Sequence, residues 1–255
     1  MKYNFLKYLG SIFLALITVI PIIYWTFAVP FSDRFINLNA TTASLGQITG
    51  LLGLAMFSLV MILGARYKMI DILFNGVADL NKKHHFIGSL SFVLLLLHPL
   101  FLVVRYFSFS MESAVNFFFF SNNWPRNFGI LSLLIMIISF LFIYYIKVGR
   151  KIWLLSHQFL GLAFLLGAAH TFYLSSTFSV SPNLKHFMSI LWALALYSGI
   201  YKIIKNIIKR RRCLLDLQMK QKQDSNHILS RDIPDTAVCD DLEFISELEN
   251  KRKPQ

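Results

Sequence analysis

The sequence predicts an all-α membrane protein of six transmembrane helices with a four-helix core. Three observations lead there. Of the 255 residues, 56% are hydrophobic, above the roughly 45–50% apolar content of soluble domains. The excess gathers in runs long enough to cross a bilayer, which takes about 20 residues of helix. Four histidines, His84, His98, His157 and His170, stand inside those runs, where an ionisable side chain is costly and marks function by default.

The spans follow in order. The first runs from about Leu9 to Pro30, the second from Leu45 to Gly64, and the third from His84 to Tyr106. The fourth covers Phe128 to Ile146, the fifth Trp153 to Leu174, and the sixth Lys185 to Ile208. Lys2 and Lys7 precede the first span as they would in a secretory signal, but its apolar stretch exceeds the roughly 7–15 residues of such a signal. It reads as a retained helix. Residues 1–212 thus form the membrane domain, and residues 213–255 a polar cytoplasmic tail.

Charge sets the expected orientation. Lys2, Lys7, Arg66, Lys68, Lys82, Lys83, Lys147, Arg150, Lys151 and the basic residues from Lys202 to Arg212 fall on one side, 15 in all, against 4 on the other: Arg34, Arg105, Arg126 and Lys185. The positive-inside rule then puts both termini in the cytoplasm, with a bacterial inner membrane as the expected location. The net charge of +12 is a flanking signal of this kind, so nucleic acid is not an expected partner. The lipid bilayer is.

The tail holds 9 of the 13 acidic residues. It reads as a solvated, disordered segment, with the stretch from Asp240 to Asn250 as an alternative docking helix that would bury Leu242, Ile245 and Leu248. Cys213 and Cys239 both lie beyond the last span. With neither CxxCH nor CxxC present, covalent haem attachment and a cysteine metal site are set aside, and both cysteines read as free thiols of a reducing compartment.

The histidines carry the chemistry. At about 1.5 Å of rise and 100° per residue, a spacing of 14 separates two side chains by about 21 Å and turns them about 40° apart. His84 and His98 therefore share a helix face. His85 and His98, 13 apart, stand about 140° apart, which favours His84. His157 and His170 are also 13 apart, so the same geometry counts against them, although Gly161 and Gly167 between them leave room for a bend or local rewinding. The third and fifth spans are parallel, and the natural pairs are His84 with His157 and His98 with His170. Each pair suits one haem iron held from both axial sides by neutral imidazoles, giving a four-helix bundle with two haems at two levels. His85 reads as an interface residue or a neighbour of a haem propionate. His186 and His227 read as solvated. Lys82, Lys83, Arg150 and Lys151 near the inner pair, and Arg105 and Arg126 near the outer, read either as propionate contacts or as the topology signal alone.

These residues resemble the bacterial ferric reductase-like transmembrane domain family, related to NADPH oxidases and ferric reductases. The third span opens His84, His85, Phe86, Ile87, Gly88 and ends in a leucine run with His98 and Pro99. In the fifth, Trp153 shortly precedes His157, with His170 thirteen residues on. The resemblance covers about residues 9–208 and implies two b-type haems on the four histidines, with electrons passing from a cytoplasmic flavin to an external acceptor such as ferric iron, dioxygen or a periplasmic redox protein. It also implies the 13-residue spacing that ideal geometry disfavours. Full-length members carry a flavin and nicotinamide domain. Residues 213–255 are too few for one and hold no glycine-rich phosphate loop, so FAD or FMN is expected on a separate cytoplasmic flavoprotein reductase. Relatives often place a basic residue where Gln47 stands, a departure that counts against direct oxygen reduction.

The expected function is therefore transmembrane electron transfer, as an oxidoreductase component. One alternative is the haem subunit of a periplasmic methionine sulfoxide reductase system, which the chain also resembles, although that relative usually has Arg where His84 stands. Another is a quinol-oxidising haem subunit. The non-redox alternative is a histidine-lined proton or metal-ion transporter, against which stands the lack of Asp and Glu in the expected spans.

Overall fold

A computed structural model describes residues 2–224 except 75, 147, 148, 175–177 and 179, with side chains described from Leu9 to Met219. Regular structure among the described residues is helical: α1 (Lys2–Ala28), α2 (Phe31–Arg34), α3 (Leu38–Gly64), α4 (Lys68–Leu73), α5 (Val77–Phe107), α6 (Met111–Asn116), α7 (Trp124–Tyr144), α8 (Arg150–Leu174) and α9 (Pro182–Asp224). Six of them, α1, α3, α5, α7, α8 and α9, are long and apolar enough to cross a membrane. The all-helical, six-span architecture is thus as the sequence predicts.

Several helices start earlier than their apolar runs because polar residues cap them. The Asn37 side chain accepts from the Ala40 backbone N–H at 2.8 Å and opens α3. Asn123 does the same for Arg126 at 3.2 Å and opens α7, with Pro125 in the first turn, where its missing N–H costs nothing. Gly76, at φ 105°, turns the chain into α5, a backbone conformation that suits glycine alone.

The chain forms two compact units, Met1–Gly199 and Ile200–Gln255. In the first, α3 is the central helix: 56% of its apolar window is buried, against 17–28% for the other spans. Packing between helices in a bilayer favours small residues that let backbones approach, and α3 supplies them. A Cβ on Gly46, Gly50 or Gly53 would come within 2.7–2.9 Å of the α5 side chains Leu102, His98 and Leu95. The pair is antiparallel, and the Ser91 hydroxyl of α5 donates to the Gly53 carbonyl at 2.8 Å. A second antiparallel pair joins α7 and α8, where the Ser132 hydroxyl donates to the Ala163 carbonyl at 2.6 Å. Phe57 of α3 meets Phe164 of α8 edge-on at 5.4 Å, and Phe92 of α5 stacks on Phe140 of α7 at 3.9 Å. These contacts join the two pairs into a four-helix bundle.

At the far end of α3, α1 docks through Trp25, which is 1% exposed and donates from Nε1 to Gln47 Oε1 at 2.8 Å. The Arg34 guanidinium covers the Trp25 ring at 3.5 Å and donates to the Trp25 and Val29 carbonyls. Arg34 is itself buried, and desolvation lowers its pKa from the ordinary guanidinium value. Read from sequence as a loop charge, it is a packing residue whose charge rests on an aromatic face.

In the second unit, α9 continues through Asp224 and carries the basic residues from Lys202 to Arg212. Cys213 is disulfide-bonded, which corrects the free-thiol expectation for that residue. Compartment chemistry governs which thiols stay reduced in general, while a bond at one position depends on which sulfurs the fold brings together. Cys239, His227 and the stretch from Asp240 to Asn250 lie outside the described residues, as does Lys147.

Candidate functional site

The four histidines meet in the two expected pairs. His84 of α5 and His157 of α8 have ring centres 6.0 Å apart at an interplanar angle of 49°. His98 of α5 and His170 of α8 have ring centres 6.4 Å apart at 72°. The first pair is the near level, beside the basic turns at Lys82, Lys83, Arg150 and Lys151. The second is the far level, beside Arg105 and Arg126. Between them α5 rises about 21 Å.

At the far level both rings are anchored to backbone. His98 Nδ1 pairs with the Gly46 carbonyl of α3 at 2.7 Å, and His170 Nδ1 with the Pro125 carbonyl of α7 at 2.7 Å. A carbonyl only accepts, so each Nδ1 carries the proton and Nε2 is left with its lone pair. Four residues beyond each carbonyl, on the same helix, stands a glycine. A Cβ on Gly50 would fall 2.7 Å from His98 Nδ1, and one on Gly129 would fall 2.7 Å from His170 Nδ1. Carbonyl and glycine together form a seat for an imidazole lying against the neighbouring helix.

At the near level the carbonyl contact recurs once: His84 Nδ1 pairs with the Val60 carbonyl of α3 at 3.2 Å. His157 is held differently, with its ring flat against Trp153 at 5.4 Å and 9°. Beside this level lies a cavity lined by aromatic and apolar side chains, among them Phe57, Phe92, Phe140 and Leu160, with His84, His85 and His157 at its wall. Apolar walls with a few fixed polar groups are a composition common to small-molecule sites. His85 faces this cavity, 5.6 Å edge-on from His84, and does not pair with α8 as His84 does.

The 13-residue step in α8 is met without rewinding, since α8 is unbroken α-helix from Arg150 to Leu174. A Cβ on Gly167 would fall 3.1 Å from the Ser132 hydroxyl of α7, so this glycine serves close helix packing. The phase difference is absorbed by the rings, one drawn to Pro125 and the other to Trp153.

Residues 49–168 match the family described as ferric reductase like transmembrane component. Over these residues the chain has the character of a ferric reductase-like transmembrane domain. The matched stretch holds three of the four histidines, and His170 follows two residues after it. No curated protein matches the chain.

Within this ferric reductase-like domain the charged candidates divide. Lys82 is exposed and bridges Asp79 at 3.3 Å, so it is engaged on its own helix. Lys151 and Arg105 are exposed, and Lys83 and Arg150 half-buried. Arg126 is half-buried beside the His170 anchor, donates to the Phe119 carbonyl at 3.2 Å, and keeps a buried Nε without a partner. His186 is exposed, as expected. Sequence reasoning missed the seats. Their signal was faint: Gly50 and Gly129 are glycines inside apolar spans, where glycine also serves ordinary helix packing.

Proposed function

We propose that this ferric reductase-like domain passes electrons across the bilayer through two b-type haems, one on His84 and His157, the other on His98 and His170. The observation that carries the reading is the separation of the ring centres. A metal–imidazole bond is about 2 Å and the ring centre lies about 1 Å beyond the nitrogen, so two axial imidazoles on one iron stand about 6 Å apart. The distances of 6.0 and 6.4 Å fit. At the far level the proton on each Nδ1 aims Nε2 at the shared centre, with the ligand basicity that such anchoring supports. Haem, when bound by these histidines, would supply one-electron iron chemistry.

The remaining residues support direction. The near level adjoins the basic turns, which the positive-inside rule assigns to the cytoplasm, so the donor side is cytoplasmic and the acceptor side external. Half-buried Arg150 and Lys83 at the near level, and Arg126 with its unpaired Nε at the far level, are the groups placed to meet propionates. The donor is a flavoprotein carrying FAD or FMN. The acceptor is ferric iron, dioxygen or a redox protein outside the membrane.

The deciding measurement is a dithionite-reduced minus oxidised spectrum of protein purified from haem-replete cells. The expected result is a b-type signal with two haems per chain. A chain that stays free of haem under those conditions rejects the reading.

A further inference from the structure

His157 departs from the arrangement of the other three histidines, and the α7 sequence explains why. The antiparallel register that sets His170 against Pro125 and Ala163 against Ser132 brings Ile138 opposite His157. Phe142, four residues on, then stands where a seat would require glycine. A phenylalanine there cannot leave the gap that Gly50 and Gly129 leave at the far level. The α8 chain instead brings its own support: Trp153, one turn before His157, lies parallel to the imidazole at 5.4 Å and 9°. The i, i+4 spacing puts the two rings on one helix face, and the flat geometry fixes the plane of the smaller ring against the larger.

We propose that Trp153 is the positioning residue of the near level, holding the imidazole plane of His157 as carbonyl–glycine seats hold His98 and His170 and as the Val60 carbonyl holds His84. The inference rests on the reading of His157 as an axial ligand. Groups that orient a ligand tune the centre it serves, and the angle between two axial imidazole planes shapes the electronic structure of a low-spin ferric haem. Trp153 sets that angle at the near level. It also keeps 36% of its surface exposed, so whatever presses on the indole turns the ligand with it.

The test compares the full chain with W153F and W153L by electron paramagnetic resonance of the oxidised protein. W153L should shift the largest g value of one of the two haem signals and leave the other in place, and W153F should stay close to the parent. Two unchanged signals in W153L overturn the proposal. A second measurement needs no haem: thermal unfolding of W153L, H157N and the double variant. If the indole holds the imidazole, the Tm losses overlap and the double variant loses clearly less than the two singles added together. Additive losses overturn the proposal. A parent chain without haem would reject the functional reading alone, and the unfolding cycle would still decide the role of Trp153.

Discussion

The two histidine levels are built on different principles. At the far level both rings lie in gaps cut by glycine and are tied to main-chain carbonyls of α3 and α7. At the near level one ring meets a carbonyl at a longer distance, the other leans on a side chain, and a cavity opens beside them. Backbone anchors move only if a helix moves, whereas a side-chain anchor moves with a rotamer. The far level is therefore the more rigid of the two, and the near level the more adaptable.

The largest effects should come from the histidines. Alanine at His98 or His170 should remove one and the same haem, and alanine at His84 or His157 the other, so that haem content by pyridine haemochrome falls from two to one in each variant. If H84A and H98A lose a shared haem, the pairing is wrong and the two levels collapse into one.

Next come the glycines. G50A and G129A force a methyl to 2.7 Å from a ligand ring, an overpacking worth about 1–3 kcal/mol. Each should lower the far-level haem content and the Tm together. G161A meets nothing closer than 3.8 Å and gains helix propensity of up to about 1 kcal/mol, so both haems should stay at full content. Equal haem loss in all three would show that the glycines at the far level have no special role.

The interplanar angles of 72° and 49° predict two separable ferric signals, with the more nearly perpendicular far pair giving the larger maximal g value. Assignment through H98A, which leaves only the near signal, checks this. The smallest effect is expected at Lys82, whose side chain is 79% exposed in its bridge to Asp79. K82A should change Tm by no more than an exposed pair is worth, about 0–1 kcal/mol, with both haem signals intact. A loss of near-level haem in K82A would make Lys82 a propionate contact after all.

The spans and the two histidine pairs were legible because both are written in composition: apolar runs, flanking charges, and ionisable residues where few are tolerated. The seats were not, because a main-chain carbonyl has no sequence signature and a glycine in a membrane helix has many uses. Arg34 was misjudged for a related reason. Charge counting treats every loop arginine alike, and burial under contact with Trp25 depends on a residue from another helix. The α8 spacing looked unfavourable because ideal-helix angles describe Cβ directions, while two rings drawn to different anchors need not leave the helix in the same direction.

The paired fourteens have a consequence for how this gene can change. The α3 and α5 helices work as two rulers with matching marks, carbonyls at Gly46 and Val60 against rings at His98 and His84. Inserting or deleting one residue between the marks on either helix would misalign one level whichever way the other was kept. The α7 and α8 pair has only one such mark, at Pro125 and His170, and its second ring is carried by a tryptophan that travels with it. A length change between His157 and His170 would leave that tryptophan on its histidine but turn both about 100° per residue away from His84, so the stretches between marks on α3, α5 and α8 are all fixed in length.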